Sequence, residues 1–273
     1  MNSSLASLFP DEDFRFHLTL KRGDARDFFL EREMTGAVLR ERAHWLAENP
    51  SRYAGLLSEG EPVIAEFAAL VRSWNAASIS DAACPREQLD QLGRALEPDL
   101  LFLSPDAQGH FRLRGGALCF PSGWALEEKL GHTMDFIHGV VPGLNAALGP
   151  PIHQFLAKLK PGVAFFRDNW GLAANDELNH HPARHVPAPA SPLALDRLWL
   201  RLEHQALLAL PESRGVVFGI RIANHRLDDV AHHGSAPLGL ARALRSMPEA
   251  MLRYKRLDRI AVELAGLLES AAR

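Results

Sequence analysis

The stretch "DLLFLSPDAQGHFRLRGGALCF", residues 99–120, decides the fold. Two apolar runs, Asp99–Ser104 and His110–Phe120, flank the short segment Pro105–Gly109. Proline, aspartate and glycine favour turns because their backbones or side chains suit the required dihedral angles. Two strand-like runs joined by such a turn predict a β-hairpin, and a hairpin predicts an antiparallel sheet.

Three further strand-like runs follow the hairpin. They are Pro161–Trp170, Asp196–Gln205 and Gly215–His225. In the second run leucines occupy positions 198, 200 and 202, whereas Trp199, Arg201 and Glu203 occupy the positions between them. Successive side chains of a strand point to opposite faces, so this alternation predicts one apolar and one polar face.

Helical patterns flank these strands on both sides. Residues 24–96 are rich in helix formers, and the segment Glu59–Ala77 carries apolar residues at spacings of three and four. The tail from about Pro237 onward is helical again. Segregated helices and strands predict an α+β fold with a mainly antiparallel sheet. We expect a helical extension over 1–96, a core over 97–226 and a helical segment over 227–273, forming one compact unit.

Composition limits the possible functions. The chain has 273 residues, 47% of them hydrophobic, and a net charge of −3, which gives no electrostatic case for binding nucleic acid or an anionic membrane. No apolar run reaches transmembrane length, and the start lacks the pattern of a signal peptide. Two cysteines, Cys84 and Cys119, cannot make a disulfide framework, so we expect a reducing, cytoplasmic location.

A helix is predicted over Leu126–Val141, where apolar side chains form one stripe and Pro142-Gly143 ends the pattern. His132 points away from that stripe, which indicates a surface residue. His138 lies on its flank. Spacing alone leaves two interpretations for His138: a residue at the boundary of the core, or an axial ligand that binds haem beside an apolar slot.

Six segments together resemble a known family. They are "EPDLLFLS", "CFPSGWALEEKLG", "IHGVVPGLN", "FFRDNW", "LRLEHQALLALP" and "YKRL". In this order they are similar to the haem-binding (alpha) subunit of the haem-dependent oxidative N-demethylase, a family first described as a domain of unknown function. Three features depart from the family pattern: "FGIRIANH" around Arg221, "EPD" at Glu97–Asp99, and the long, histidine-rich loop after Trp170.

The resemblance implies a PAS-like core with a five-stranded sheet, and haem b between a helix and that sheet. It implies that a separate reductase, which carries flavin and an iron–sulfur centre and uses NADPH, supplies electrons. It also implies that O2 is used to remove a methyl group from a small secondary amine such as dimethylamine, with release of formaldehyde. The three departures bear on the identity of the substrate and on catalysis more than on the fold or the cofactor.

Cofactor-binding residues follow from the resemblance. His138 is the expected axial ligand of the haem iron, and Cys119 is the rival because a thiolate also binds haem iron. Arg167 and Asn169 are expected to hold the haem propionates or to line the pocket, since a guanidinium suits carboxylates. Lys129 is expected to contact the cofactor. The structural alternative for Arg167 is a cross-strand ion pair.

Catalytic residues are expected on the strands. A secondary amine is a cation at neutral pH, so a carboxylate from Glu203 and an aromatic wall from Trp199 would suit it. Arg221 is the third expected catalytic residue. The structural alternative for Glu203 is an exposed Arg–Glu pair with Arg201, which would contribute little stability.

Two other functions remain open from the sequence. A haem sensor without catalysis would use the same fold, because fold does not determine function. A metal-dependent hydrolase would use the histidine-rich segment "HHPARH", which offers His180, His181 and His185. Prolines make this segment a loop, so a zinc site there has little support.

Overall fold

The computed structural model describes residues 5–75, 79–81 and 84–272 and contains one antiparallel sheet of seven strands. In chain order the strands are β1 (Lys21–Gly23), β2 (Ala54–Leu56), β3 (Asp99–Pro105), β4 (Phe111–Ala117), β5 (Ala164–Ala173), β6 (Trp199–Ala209) and β7 (Val216–Arg226). Across the sheet their order is β1-β5-β6-β7-β3-β4-β2. The predicted α+β class is therefore confirmed.

All five predicted strand-like runs form strands. β3 and β4 pair as the hairpin, and the turn is closed by the Asp106 amide donating to the His110 carbonyl. Gly109 has φ 86°, a left-handed conformation that glycine adopts without a steric cost. The two edge strands, β1 and β2, have three residues each and were not predicted. Runs this short carry no detectable periodicity.

Twelve helices surround the sheet in the described part of the chain. They are α1 (Leu5–Leu8), α2 (Ala25–Leu30), α3 (Ala37–Glu48), α4 (Pro50–Tyr53), α5 (Glu61–Ser73), α6 (Pro85–Ala95), α7 (Met134–Gly139), α8 (Leu144–Lys158), α9 (Leu227–Val230), α10 (Ala236–Ser246), α11 (Glu249–Tyr254) and α12 (Ala261–Ala271). Short 3₁₀ turns occupy Ser58–Gly60, Pro182–Arg184 and Leu195–Arg197. The end of the helix predicted over Glu59–Ala77 lies outside the described residues.

One face of the sheet, here called face A, is defined by the even-numbered residues of β6, such as Leu202 and Ala206. It packs against two separate helical groups. Helices α2, α5 and α6 cover the half that contains Ala206 and Leu208, and α1, α10 and α12 cover the half that contains Leu200 and Leu202. α2 approaches β7 closely: a Cβ on Gly219 would lie 2.7 Å from the ring of Phe29.

The opposite face, face B, is defined by the odd-numbered residues of β5 and β6. Helix α8 packs on it through Ile152 and Leu156, and α7 lies beside α8. The remainder of face B is covered by the chain after β4 and by the loop between β5 and β6, because Arg201 binds both segments.

The helix predicted over Leu126–Val141 is shorter than expected. Gly131 has φ 83°, which interrupts the backbone, and α7 begins only after Thr133, whose side chain accepts a hydrogen bond from the Phe136 amide. Residues 126–131 instead form turns. The apolar stripe is still correct as a set of contacts, because Leu126, Leu130, Met134 and Ile137 all pack in the face B cluster.

The N-terminal region is helical as predicted, but in several pieces. The helical pattern of residues 24–49 divides into α2 and α3, and Gly36, with φ 67°, marks the break. Pro50 then begins α4, where its missing N–H is harmless. Across the described ranges, no helix combines the length and apolar character needed to cross a bilayer.

Candidate functional site

A cluster of polar side chains occupies the centre of face B. Asn169 of β5 pairs in register with Glu203 of β6, and Arg167 pairs with Gln205. These four positions are odd-numbered, so all four side chains project from the same face. The alternation of Trp199, Arg201 and Glu203 in the sequence is thus preserved, and the pairing register adds the residues from β5.

Glu203 is a buried carboxylate with one oxygen in use. Its side chain is 8% exposed. Its Oε2 accepts hydrogen bonds from Asn169 Nδ2 at 3.1 Å and from Gln205 Nε2 at 2.8 Å. Its Oε1 has no hydrogen-bond donor within the described residues. The two amides fix the carboxylate in position and leave Oε1 for another donor.

Arg167 is a partly buried cation without a partner. Its guanidinium makes no hydrogen bond or ion pair with any residue that the structure describes. Burial lowers the pKa of Arg167, and the negative charges of Glu203 and Asp168 oppose that shift. The predicted cross-strand ion pair is not formed. An arginine of this kind has its planar set of donors available for an anion.

His138 lies near the C-terminal end of α7 and is partly buried. Burial lowers the pKa of its imidazole to about 4, and the positive charge of Arg167 adds to this effect. The ring is therefore neutral at pH 7, the form that binds iron. Neither ring nitrogen has a hydrogen-bond partner among the described residues. The supporting hydrogen bond typical of a metal-bound histidine is thus not part of this arrangement.

Apolar side chains near this cluster are incompletely packed. Leu207, Phe218 and Ile222 belong to the central strands and project from face B, yet they are only partly buried. On face A the side chains of Ala206, Leu208 and Val217, from the same strands, are 0–3% exposed. Met134 and Ile137 of α7 are also partly buried. Face B thus offers an apolar surface that the protein does not fill.

Arg201 fastens two loops to face B. Its Nε donates to Ser122 Oγ at 2.9 Å, and its Nη1 donates to the Glu177 carbonyl at 3.1 Å. Its Nη2 donates to the carbonyls of Phe120 and Leu178, at 2.9 and 2.7 Å. Every guanidinium nitrogen is used, so Arg201 does not form the exposed pair with Glu203 that the sequence left open.

Two residues of the C-terminal segment approach Glu203 and were not singled out from the sequence. Lys255 Nζ donates to the Trp170 carbonyl at 2.6 Å and lies 4.9 Å from the centre of the Trp170 ring. Burial lowers the pKa of Lys255 to about 8, and the charge of Glu203 opposes this shift. Burial, followed by Glu203, raises the pKa of Tyr254. Their only signal in the sequence was the "YKRL" segment.

Arg221 is not part of this cluster. It projects from face A, where its guanidinium donates to Glu97 Oε2 at 2.8 Å and to the carbonyls of Phe28 and Glu31. It therefore anchors the end of α2 to the sheet. Trp199 does share face B with Glu203, but the two lie four positions apart along β6, a distance of about 13 Å. Both residues cannot contact one small amine.

Lys129 and Cys119 also lie outside the cluster. Lys129 is buried, and its Nζ lies 5.6 Å from the centre of the Phe136 ring. Cys119 packs with Leu46 and Tyr53 in a separate hydrophobic cluster. Burial raises the pKa of the Cys119 thiol to about 12, so the thiolate that haem iron would need is strongly disfavoured.

The histidine-rich loop shows no metal site. Within residues 5–75, 79–81 and 84–272, no three His, Cys, Asp or Glu residues are grouped closely enough to hold a metal ion. His181 is buried and lies 3.2 Å from Glu127 Oε1. The His180 imidazole is partly buried, and His185 is exposed. A metal-dependent hydrolase therefore gains no support from this loop.

A large cleft lies between the two helical groups of face A. Its volume is about 1140 Å³, and its floor includes Asp168, His204 and Arg221. His204 Nδ1 is 2.6 Å from Asp168 Oδ1. Its lining also includes Arg167 and Gln205, but not His138 or Glu203.

One comparison with known proteins bears on this cluster. A family model described as "haem-dependent oxidative N-demethylase, alpha subunit-like" matches residues 50–265, which is most of the chain. The matched region contains all five long strands, α7 and α8, and the C-terminal segment with Lys255.

Proposed function

The chain belongs to the haem-dependent oxidative N-demethylase, alpha subunit-like family, and from that premise we propose that it carries haem b in an oxidative N-demethylase. The proposed reaction removes a methyl group from a small secondary amine such as dimethylamine, with release of formaldehyde. The proposed fold of the haem-binding core is PAS-like. Five long antiparallel strands support this part of the proposal.

One observation carries the proposal. Face B brings together a neutral imidazole, a buried carboxylate and an unpaired guanidinium beside an apolar surface that the protein leaves partly open. The residues are His138, Glu203 and Arg167. A haem needs an imidazole ligand and an apolar slot, which His138 and the open apolar surface would supply. The Arg167 guanidinium offers donors for a carboxylate of the cofactor or of the substrate.

Each residue expected to bind the cofactor has a different proposed role. His138 would hold the iron. Arg167 has free donors for a carboxylate, from a haem propionate or from the substrate. Asn169 already donates to Glu203, so its proposed role is to position that carboxylate. Lys129 would contact the cofactor only from its place beside Phe136, at the N-terminal side of α7.

When bound, haem would supply the oxygen-activating redox chemistry. The chain's own residues would do the positioning. The free Oε1 of Glu203 would accept an N–H of the amine and hold the methyl group in one orientation. In the overall reaction the secondary amine, O2, two electrons and two protons give a primary amine, formaldehyde and water. Trp199, far along the same face, would line the approach to Glu203. Arg221 has no place in the site because it projects from face A.

The electrons require a partner. We propose the flavin- and iron–sulfur-containing, NADPH-dependent reductase subunit that the resemblance implies, because the sequence has no dinucleotide-binding glycine pattern and no cysteine cluster. The words "alpha subunit-like" in the family description support the presence of another subunit. A reducing compartment such as the cytoplasm is proposed because Cys84 and Cys119 are both unpaired.

The visible spectrum tests the cofactor. We expect purified protein reconstituted with hemin to show a Soret band, and His138→Ala to lose the spectrum of imidazole-ligated iron. His132→Ala is the matched control, because His132 is an exposed histidine that stacks on Phe136. It should retain the wild-type spectrum. Protein that stays colourless with hemin would overturn the proposal.

Catalysis needs a second test, because a haem sensor would also give a Soret band. With a reductase, NADPH and dimethylamine, we expect formaldehyde to form in proportion to the amine consumed. Glu203→Gln should lower kcat/KM by at least tenfold, because it removes the charge that holds the amine. Haem binding without any amine-dependent formaldehyde would instead indicate a sensor.

A further inference from the structure

We propose that the amine bound at Glu203 carries its own carboxylate, so that the substrate class is N-methylated amino acids, with Arg167 holding the carboxylate. N-methylglycine is the smallest member. The inference rests on the proposed function, because it names the substrate of the same site. It replaces dimethylamine by a larger, zwitterionic secondary amine.

The two charges are neighbours that do not pair. Arg167 and Glu203 occupy diagonal positions of adjacent strands on face B, a relation that places backbone positions about 7–8 Å apart. Long side chains at that spacing can reach each other. Yet no nitrogen of Arg167 lies within ion-pair distance of Glu203, although the negative charge of Glu203 acts to raise the pKa of Arg167. A gap between an unpaired cation and a free carboxylate oxygen remains.

The anchoring of Glu203 explains why the gap persists. Asn169 and Gln205 both donate to Oε2 and hold the carboxylate against the sheet. Arg167 can therefore not be satisfied by rotation of Glu203 without the loss of two hydrogen bonds. A ligand that carries both charges would give each side chain a hydrogen-bond partner. Its ammonium would donate to Glu203 Oε1, and its carboxylate would accept from the Arg167 guanidinium.

The charge around the site favours a zwitterion over a simple amine. Arg167, Arg201 and Lys255 all interact with the negative charge of Glu203. Asp168 also acts on Arg167, and Asp99 and Glu41 act on Arg201. A dialkylammonium ion has no group that could accept a hydrogen bond from the Arg167 guanidinium. A zwitterion adds no net charge, and its carboxylate faces the cation that lacks a partner.

The other cations near Glu203 already donate hydrogen bonds to the protein. Every nitrogen of the Arg201 guanidinium is bonded to a loop. Lys255 Nζ is bound to the Trp170 carbonyl. Arg167 alone among these three has no bond to lose. A haem propionate is the other carboxylate that Arg167 could bind. In that case Arg167→Met would be expected to lose hemin.

Binding measurements on the hemin-loaded protein test the inference. We expect calorimetry to give a Kd for N-methylglycine at least tenfold lower than that for dimethylamine. Arg167→Met, which keeps side-chain length and removes the charge, should raise the Kd for N-methylglycine at least tenfold and change the Kd for dimethylamine less than threefold. It should retain hemin. Lys160→Met, which removes an exposed cation before β5, is the matched control and should match the wild type.

The opposing outcomes are distinct. If wild-type protein binds dimethylamine as tightly as N-methylglycine, the inference is wrong whatever the variants do. If Arg167→Met loses hemin and keeps the wild-type amine preference, a propionate is the anion and the inference is also wrong. Arg167→Gln, which is polar but uncharged, tests both points if Arg167→Met does not fold.

The test separates the inference from the proposed function. Protein that takes up hemin and demethylates dimethylamine but ignores N-methylglycine would retain the function and lose the substrate class. Protein that takes up no hemin would lose the function, and calorimetry with N-methylglycine on the unloaded chain would still report whether Arg167 and Glu203 bind a zwitterion.

Discussion

Two arginines on neighbouring strands differ completely in their hydrogen bonding. Arg201 uses all its nitrogens on loop groups, whereas Arg167 uses none on the described protein. Strand alternation correctly put Arg201 and Glu203 on one face. It could not distinguish the structural arginine from the unpaired one, because the loops that Arg201 binds are distant in the chain. The contacts of Lys255 could not be predicted from the sequence for the same reason, because Trp170 is also distant in the chain.

His180 allows a prediction about pH at the level of one side chain. Burial lowers the pKa of its imidazole to about 4, and the charge of Arg201 adds to the shift. Between pH 6.5 and 4 the unfolded chain binds a proton there and the folded chain does not, so the free energy of unfolding decreases as the pH falls. From pH 7 to 5 this side chain should account for a loss of about 2 kcal/mol.

Chemical denaturation of the haem-free protein at pH 7 and pH 5 measures this effect. His180→Gln should reduce the difference between the two pH values by about 2 kcal/mol. His232→Gln, at an exposed position after β7, should leave the difference unchanged. An unaltered pH dependence in His180→Gln would show that this imidazole titrates normally in the folded protein.

Among the elements, α7 shows what hydrophobic periodicity can and cannot give. The apolar stripe from Leu126 onward correctly identified side chains that share the face B cluster. The stripe predicted a helix that is too long, because turns can place side chains on the same surface as a helix does. The positive φ of Gly131 depends on the close contact with β4, where the Gly131 amide donates to the Leu113 carbonyl at 2.7 Å. That contact has no local sequence signal.

The contact between α2 and β7 gives a prediction at the level of elements. Gly219→Ala would place a Cβ 2.7 Å from the ring of Phe29 and 2.8 Å from that of Phe28. Such overpacking should lower the free energy of unfolding by about 1–3 kcal/mol. Gly171→Ala is the matched control, because Gly171 also lies within a strand and a Cβ there meets nothing within 4 Å.

Urea denaturation of the two glycine variants decides this point. The Gly171→Ala variant should be as stable as the wild type or slightly more stable, since alanine loses less backbone entropy on folding. Equal stability of both variants would mean that α2 can move away from the sheet at little cost.

For the whole molecule, the antiparallel sheet and its helical flanks followed from the sequence, since long strands and helices have strong periodic patterns. The order of the strands did not. It requires β3 to pair with β7, more than a hundred residues later, and no local pattern encodes that pairing. The site could be predicted only as a set of residue types; its members meet through this non-local arrangement.

The C-terminal helices should unfold together with the sheet. Leu264 of α12 is 0% exposed and belongs to the cluster that covers Leu200 and Leu202, whereas Val262 of the same helix is 75% exposed. Leu264→Ala should lower the free energy of unfolding by about 2–5 kcal/mol, and Val262→Ala by less than about 0.5 kcal/mol.

Tryptophan fluorescence and far-UV circular dichroism test the same point by two probes. Their urea transitions should coincide in the wild type and shift together in Leu264→Ala. Separate transitions would indicate that the C-terminal helices form an independent unit rather than part of one compact fold.

The division of labour between the two faces has a consequence for evolvability. The helices with the most completely buried side chains pack on face A. Arg167, Asn169 and Gln205 project from face B. It follows that substitutions at these three positions can change the range of substrates, because the residues that stabilise the fold pack on the other face. A combinatorial library at these three positions should keep most of its members folded and still vary widely in ligand preference.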